Sequence, residues 1–171
     1  DELKKELQQK GYTFKSETDS EAIANLLQYN FDQTKDIKKS MMQTLSELKG
    51  NYAFVAVFED GTLSAARLHE PLIIGVGKDG YFVSSDVLGF VEHTDEVIYP
   101  DNREFIIINS AGIQIFDFDG APVQHQITKV SKEFADAYKG DYAHFTFKEI
   151  SDQPTTVLKA GENTKLELDL V

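Results

Sequence analysis

The residue best placed to do chemistry is Asp19. It stands in Thr18-Asp19-Ser20-Glu21, which has the form of a capping box opening a helix. Backbone N–H groups and the helix dipole at such a position favour an ionised carboxylate. An ionised oxygen fixed there can accept hydrogen bonds from a ligand's ammonium group. Plain helix capping by Thr18 or Asp19 explains the same residues, and on the residue types alone capping is the better account.

Other constellations fail on their context. Gly75-Val-Gly77-Lys-Asp-Gly80 has the glycine spacing of a dinucleotide site, with Asp95 near the position of an acidic ribose partner. That chemistry needs a helix after the glycines, because the pyrophosphate binds at its N-terminus. Tyr81-Phe-Val-Ser follows instead, which is a strand, so Lys78-Asp79-Gly80 reads as a hairpin turn. Asp117-Phe-Asp119-Gly120 resembles the start of a calcium loop, but Ala121, Pro122 and Val123 stand where further ligands are needed. Among His69, His93, His125 and His144 no two are close enough in sequence to make a local metal-ligand pair. There is no Gly-x-Ser-x-Gly elbow, and the absence of cysteine excludes a thiol nucleophile within these residues. No motif asks for a cofactor or a metal.

The elements that must position Asp19 follow from hydrophobic period. Leu3 and Leu7 mark an opening helix that stops at Gly11. Tyr12 to Lys15 reads as a short strand-like piece. The helix opened by Thr18 carries Ile23, Leu26, Leu27 and Phe31 on one face, and a further helix from about Asp36 carries Ile37, Met41, Leu45 and Leu48. The period then falls to two. Tyr52 to Phe58 is almost wholly apolar and is expected as a central strand covered on both faces. Strands are expected at 62–67, 72–77, 81–85, 96–99, 104–109, 113–118 and near 123–127, with a short helix at 87–91. Pro154 is expected to break the pattern, leaving 155–171 as a linker or an adventitious strand. Helices followed by antiparallel strands make an α+β domain.

A length of 171 residues suits one domain, or a domain with a tail. Seventeen basic against 29 acidic side chains give a net charge of −12, which argues against nucleic acid and anionic membrane surfaces as partners. No apolar run approaches the roughly 20 residues of a membrane-spanning helix. A soluble, cytoplasmic protein is expected. The absence of an initial Met, with the chain already in a helix, suggests a fragment.

Several segments in order resemble one family. Gly11-Tyr-Thr-Phe-Lys-Ser-Glu-Thr-Asp-Ser-Glu21 with Ile23-Ala24 is similar to the signature of class II glutamine amidotransferase domains, and most of all to those of the glutamine–fructose-6-phosphate aminotransferases. Leu48-Lys-Gly50-Asn-Tyr52-Ala53, Ala66-Arg67, Pro71-Leu72, Ile74-Gly75, Gly77 and Ser84-Ser85-Asp86 follow in place. His144-Phe-Thr-Phe-Lys148-Glu149-Ile150 with Gln153-Pro154 resembles the stretch that joins a glutaminase domain to a sugar isomerase domain.

The resemblance implies an N-terminal-nucleophile hydrolase fold, a four-layer αββα sandwich. It implies hydrolysis of glutamine to glutamate, with ammonia passing to fructose 6-phosphate for amino-sugar synthesis. It makes Asp19 the group that holds the α-amino group of glutamine, with Thr18 its neighbour, and this turns the balance from capping to substrate contact. It gives no role to Arg67. The family's nucleophile is an N-terminal cysteine whose own amino group acts as base. This chain begins with Asp1 and lacks the Arg-Trp-Ala-Thr-His-Gly and His-Asn-Gly segments that grip the substrate carboxylate and form the oxyanion hole. Residues 1–150 are therefore expected to be the later part of a glutaminase domain, incomplete at its N-terminus and inactive alone. Residues 151–171 are expected to link toward an absent isomerase domain. The alternative is a non-catalytic module that binds an amino acid or docks on a partner. Missing strands would leave open sheet edges, so self-association, or a tail such as Thr164 to Val171 covering the gap, is expected.

Overall fold

The computed structural model describes residues 2–130, 142 and 144–168. The helical stripes of the first fifty residues form as expected. Helix α1 (Glu2–Gln9) buries Leu7 fully and ends at Gly11, whose φ of +92° is the left-handed conformation of a helix end. Helices α2 (Asp19–Thr34) and α3 (Ile37–Glu47) follow. Asp36 caps α3 by accepting the Lys39 N–H at 3.0 Å. The buried amide of Asn30 on α2 donates to Thr44 Oγ1 on α3 at 3.1 Å, which satisfies a polar group between the two helices. Residues 12–15, expected to be strand-like, are loop. Their backbone groups bond to side chains rather than to a neighbouring strand, with Asn25 donating to Thr13 O and Glu21 accepting from Lys15 N–H.

The strands are β1 (Tyr52–Val57), β2 (Leu63–Leu68), β3 (Ile73–Val76), β4 (Tyr81–Ser84), β5 (Glu96–Ile98), β6 (Glu104–Asn109), β7 (Gly112–Asp117), β8 (Pro122–Val123) and β9 (Thr128–Lys129). They form two antiparallel sheets, one in the order β1-β2-β6-β7-β8 and one in the order β4-β3-β5-β9. Helices α2 and α3 cover one face of the first sheet through Leu27, Met41 and Leu45 packed on Phe105 and Phe116. The other face, with Ala65, Ile106 and Ile115, packs on Leu72, Ile74 and Ile98 of the second sheet and its approach. Alternate side chains of β6 thus enter both cores, and four of its six residues are buried.

The outer face of the second sheet is covered by residues 86–94. The helix expected at 87–91 is only a 3-10 turn at Val87–Gly89, capped by Asp86. Phe90 lies so close to Gly75 that a Cβ there would stand 2.7 Å from its ring, which is why this strand position carries no side chain. Phe82 stacks on Phe90 and His93. Residues 2–130 therefore supply helices, sheet and sheet, and the described residues of this unit form no fourth, helical layer.

Strand β1 corrects an expectation. It is an edge strand, not a central one. Phe54 and Ala56 turn toward the helices, but Val55 is 46% and Val57 72% exposed. An all-apolar run does not reveal which of its faces is covered. The doubly covered strand is β6. The expected last strand near 123–127 also resolves differently, into two short pieces in different sheets, β8 beside β7 and β9 beside β5.

The turns agree with their residue types. Gly77 N–H donates to Gly80 O at 2.9 Å, so the dinucleotide-like glycines close a hairpin between β3 and β4. Asp117 Oδ1 accepts from Ala121 N–H at 2.7 Å, with Gly120 at φ +86°, which makes the calcium-like residues a tight turn.

The chain divides into two compact units, residues 1–130 and 131–171. In the second, α4 (Phe145–Leu168) is a helix with Pro154 inside it, where a linker or adventitious strand was expected. Proline removes one backbone donor, and the helix continues past it. Thr156 Oγ1 adds a bond to Asp152 O, 3.1 Å away. No described helix is long and apolar enough to cross a membrane.

Candidate functional site

Asp19 occupies the first helical position of α2 and is exposed. Thr18 is the N-cap residue, with extended backbone at φ −83° and ψ 142°, yet its side chain makes no capping bond. The expected capping box takes another form. Glu21 reaches past Thr18 into the preceding loop. Its Oε1 accepts the Lys15 N–H at 2.7 Å, and its Oε2 accepts the Ser16 N–H at 2.7 Å and the Ser16 hydroxyl at 2.6 Å. The Ser16 hydroxyl, then the Lys15 N–H, hold the Glu21 carboxyl below the usual carboxylate range.

The loop is pinned from other sides as well. Lys4 on α1 donates to Ser16 O at 3.2 Å and pairs with Glu17 at 2.9 Å. Asn25 donates to Thr13 O at 3.2 Å. Tyr12 donates to Asp32 at 2.9 Å, and Asp32 is held below its ordinary range by Lys35 first and by Tyr12 second. Side chains from α1 and α2 thus fix the segment that leads into Asp19. No described side chain pairs with Asp19 itself, so its carboxylate is available to a ligand in solution.

The other candidate residues lie elsewhere. Arg67 on β2 donates from Nη1 to Pro100 O at 2.9 Å, while its buried Nε has no partner among the described residues. His93 stacks on Phe82, and His69 lies 3.3 Å from the Asn102 amide. His125 Nε2 meets Glu104 Oε2 at 2.7 Å, and the same oxygen accepts the Asp101 N–H at 2.7 Å. Asp101, Glu104 and His125 bring potential ligand atoms within 4.8 Å of one another. This grouping was not visible in sequence, because the β7 and β8 pairings bring together residues 21 apart. Glu104 and His125 already satisfy each other, so the pair ties β6 to the segment after β8. His125 also borders a cavity of about 370 Å³ lined by Ile98, Ile113, Phe116, Pro122 and Val123, which does not reach Asp19.

Residues 1–91 match the family model described as glutamine amidotransferase domain. The chain is 37% identical over 158 residues to a glutamine–fructose-6-phosphate aminotransferase (isomerizing) of Methanothermobacter thermautotrophicus, covering 91% of this chain and 27% of that protein. It is 36% identical over 179 residues to the protein of that name in Methanosarcina acetivorans, covering 98% of this chain and 29% of the relative. The chain thus spans little more than a quarter of the length of these relatives. Among solved structures it resembles glutamine phosphoribosylpyrophosphate amidotransferase of B. subtilis, complexed with ADP and GMP, at a TM-score of 0.59 and 28% identity, over 68% of this chain and 26% of that one. The helices and paired sheets are those of the N-terminal-nucleophile hydrolase class that the sequence resemblance implied. With residues 1–91 matched by that family model and relatives 36–37% identical over more than nine-tenths of its length, the chain belongs to the glutamine amidotransferase domain family.

Proposed function

We propose that this chain is the later part of a glutaminase domain that hydrolyses glutamine to glutamate and ammonia, within a longer cytoplasmic protein that passes the ammonia to fructose 6-phosphate. In this reading residues 1–150 belong to the glutaminase domain, incomplete at its N-terminus, and 151–171 lead toward a sugar isomerase domain.

The observation that carries the reading is the exposed carboxylate of Asp19 at the start of α2, just after a loop tied down by Lys4, Glu21 and Asn25. A fixed anion at that place takes the α-ammonium of glutamine, with Thr18 beside it. Anchoring that end sets where the carboxamide lies, and orientation is a large part of what a binding residue contributes to rate. The bond-breaking groups lie outside these residues, because no cysteine is present to attack the carboxamide carbon. The free edge of β1, with Val55 and Val57 exposed, supports a further proposal that this edge pairs with a strand from the rest of the polypeptide or from a second copy.

The test is a glutaminase assay on two preparations. The 171-residue chain alone is expected to release no glutamate from glutamine, and the full-length protein to release it steadily. Turnover by the short chain, or none by the long one, overturns the proposal.

A further inference from the structure

Glu104 places a carboxylate on the face of β6 that looks toward the second sheet, beside Ile106 and opposite Arg67 of β2. It is only 5% exposed, and a carboxylate so buried needs a positive partner and hydrogen bonds. Arg67 does not supply the charge. Its Nη1 donates to Pro100 O, and it makes no ion pair with Glu104 among the described residues. The basic side chain that does meet Glu104 is His125, with Nε2 at 2.7 Å from Oε2. An ionised carboxylate only accepts, so Nε2 carries the proton. Oε2 also accepts the Asp101 N–H at 2.7 Å. The other oxygen, Oε1, accepts from no described group, and the same holds for the exposed carboxylate of Asp101. One imidazole proton thus stands between a buried carboxylate and its partner, with a second carboxylate beside them.

The three side chains converge on one place, since a ligand atom of each lies within 4.8 Å of those of the others. Ligands held about 2.0–2.2 Å from a tetrahedral zinc stand roughly 3.3–3.6 Å from one another. Side-chain rotation closes the difference, and Asp101, the most exposed of the three, is free to make it. An imidazole with two carboxylates suits a cation of the zinc type better than magnesium or calcium, which take oxygen ligands. We propose that Asp101, Glu104 and His125 bind a divalent cation of that type, which takes the place of the Nε2 proton between His125 and Glu104. The imidazole proton then resides on Nδ1. The bound ion fastens β6 and the turn before it to the segment after β8, and it is independent of the reading of Asp19.

The test is calorimetric titration of zinc chloride into the metal-stripped 171-residue chain and into its Asp101→Asn, His125→Ala and His93→Ala variants. Saturation at one zinc per chain is expected. Groups that merely support a metal ligand are worth about ten- to a hundredfold in affinity, so losing a ligand is expected to weaken zinc by at least about tenfold in Asp101→Asn and in His125→Ala. Asp101→Asn changes an exposed side chain without changing its shape, so it reads the site and not the fold. His93→Ala removes a histidine that stacks on Phe82 outside the cluster and is expected to leave the affinity within about twofold. Absence of saturable binding would overturn the proposal. So would full affinity in either Asp101→Asn or His125→Ala, or an equal loss in His93→Ala, which marks scattered binding to surface histidines.

Discussion

Replacing Asp19 by Ala in the full-length protein is expected to raise the KM for glutamine by roughly ten- to a hundredfold while kcat stays within a few-fold. A hydrogen bond to a charged group contributes about 1.5–3 kcal/mol, and each 1.4 kcal/mol is a factor of ten in affinity. The α-ammonium keeps its charge throughout amide hydrolysis, so the contact is equally strong in ground state and transition state. Losing such a contact appears in KM and not in kcat. Asp19→Asn keeps an oxygen acceptor and loses the charge, so its KM should fall between those of Ala and the unaltered protein. If Asp19 serves only the helix, the result differs in kind. A carboxylate in a first helical turn is worth about 0.3–1 kcal/mol to the helix. Asp19→Ala would then lower the melting temperature slightly and leave KM alone.

The largest expected effect on stability is at Phe105. This residue is fully buried on β6, and its ring stacks on Phe116 with centroids 5.3 Å apart, beneath Met41 and Leu45. Phe105→Ala removes the ring and leaves a cavity that the sheet cannot close, at a cost of about 3–5 kcal/mol. In a chain of this size each kcal/mol moves the melting temperature by about 2–4 °C, so thermal unfolding should fall by at least 6 °C or so. Val57→Ala on β1 is the contrast. Its side chain is 72% exposed, and its loss should stay within about 0.5 kcal/mol. A β1 covered on both faces would give comparable losses at the two positions.

That contrast also marks what the sequence could and could not convey. The helices were legible because Leu26 and Leu27, and Met41 and Leu45, recur at the helical period, which is a local property. The turns were legible because Gly80, Gly112 and Gly120 stand where hairpins need them. The order of strands was not. Tyr52 to Phe58 and Phe105 to Ile108 are both apolar runs, and only non-local pairing makes the first an edge and the second a centre. The region after Pro122 was misread for a related reason. Strands of two residues, β8 and β9, exist because neighbouring sheets accept them, and they carry no periodic signal of their own. Pro154 does not end its helix, since one missing donor does not outweigh the rest of a long helix.

The site divides in the same way. That Asp19 opens a helix was legible from the apolar stripe that follows it, while its substrate role came only from the family resemblance; Glu21 was legible from its spacing to Thr18. The direction in which Glu21 acts was not, because the capping-box pattern points it at the cap residue and the folded loop offers it Lys15 and Ser16 instead. The Glu104–His125 pair had no sequence signal, since β7 and β8 must form before the two residues meet.

The most direct test of the account is a crystal structure of the full-length protein with glutamate bound. The Asp19 carboxylate is expected at charge-assisted hydrogen-bond distance from the α-ammonium, about 2.7–2.9 Å. A bound glutamate whose ammonium is held by other groups, with Asp19 still facing solvent, would contradict it.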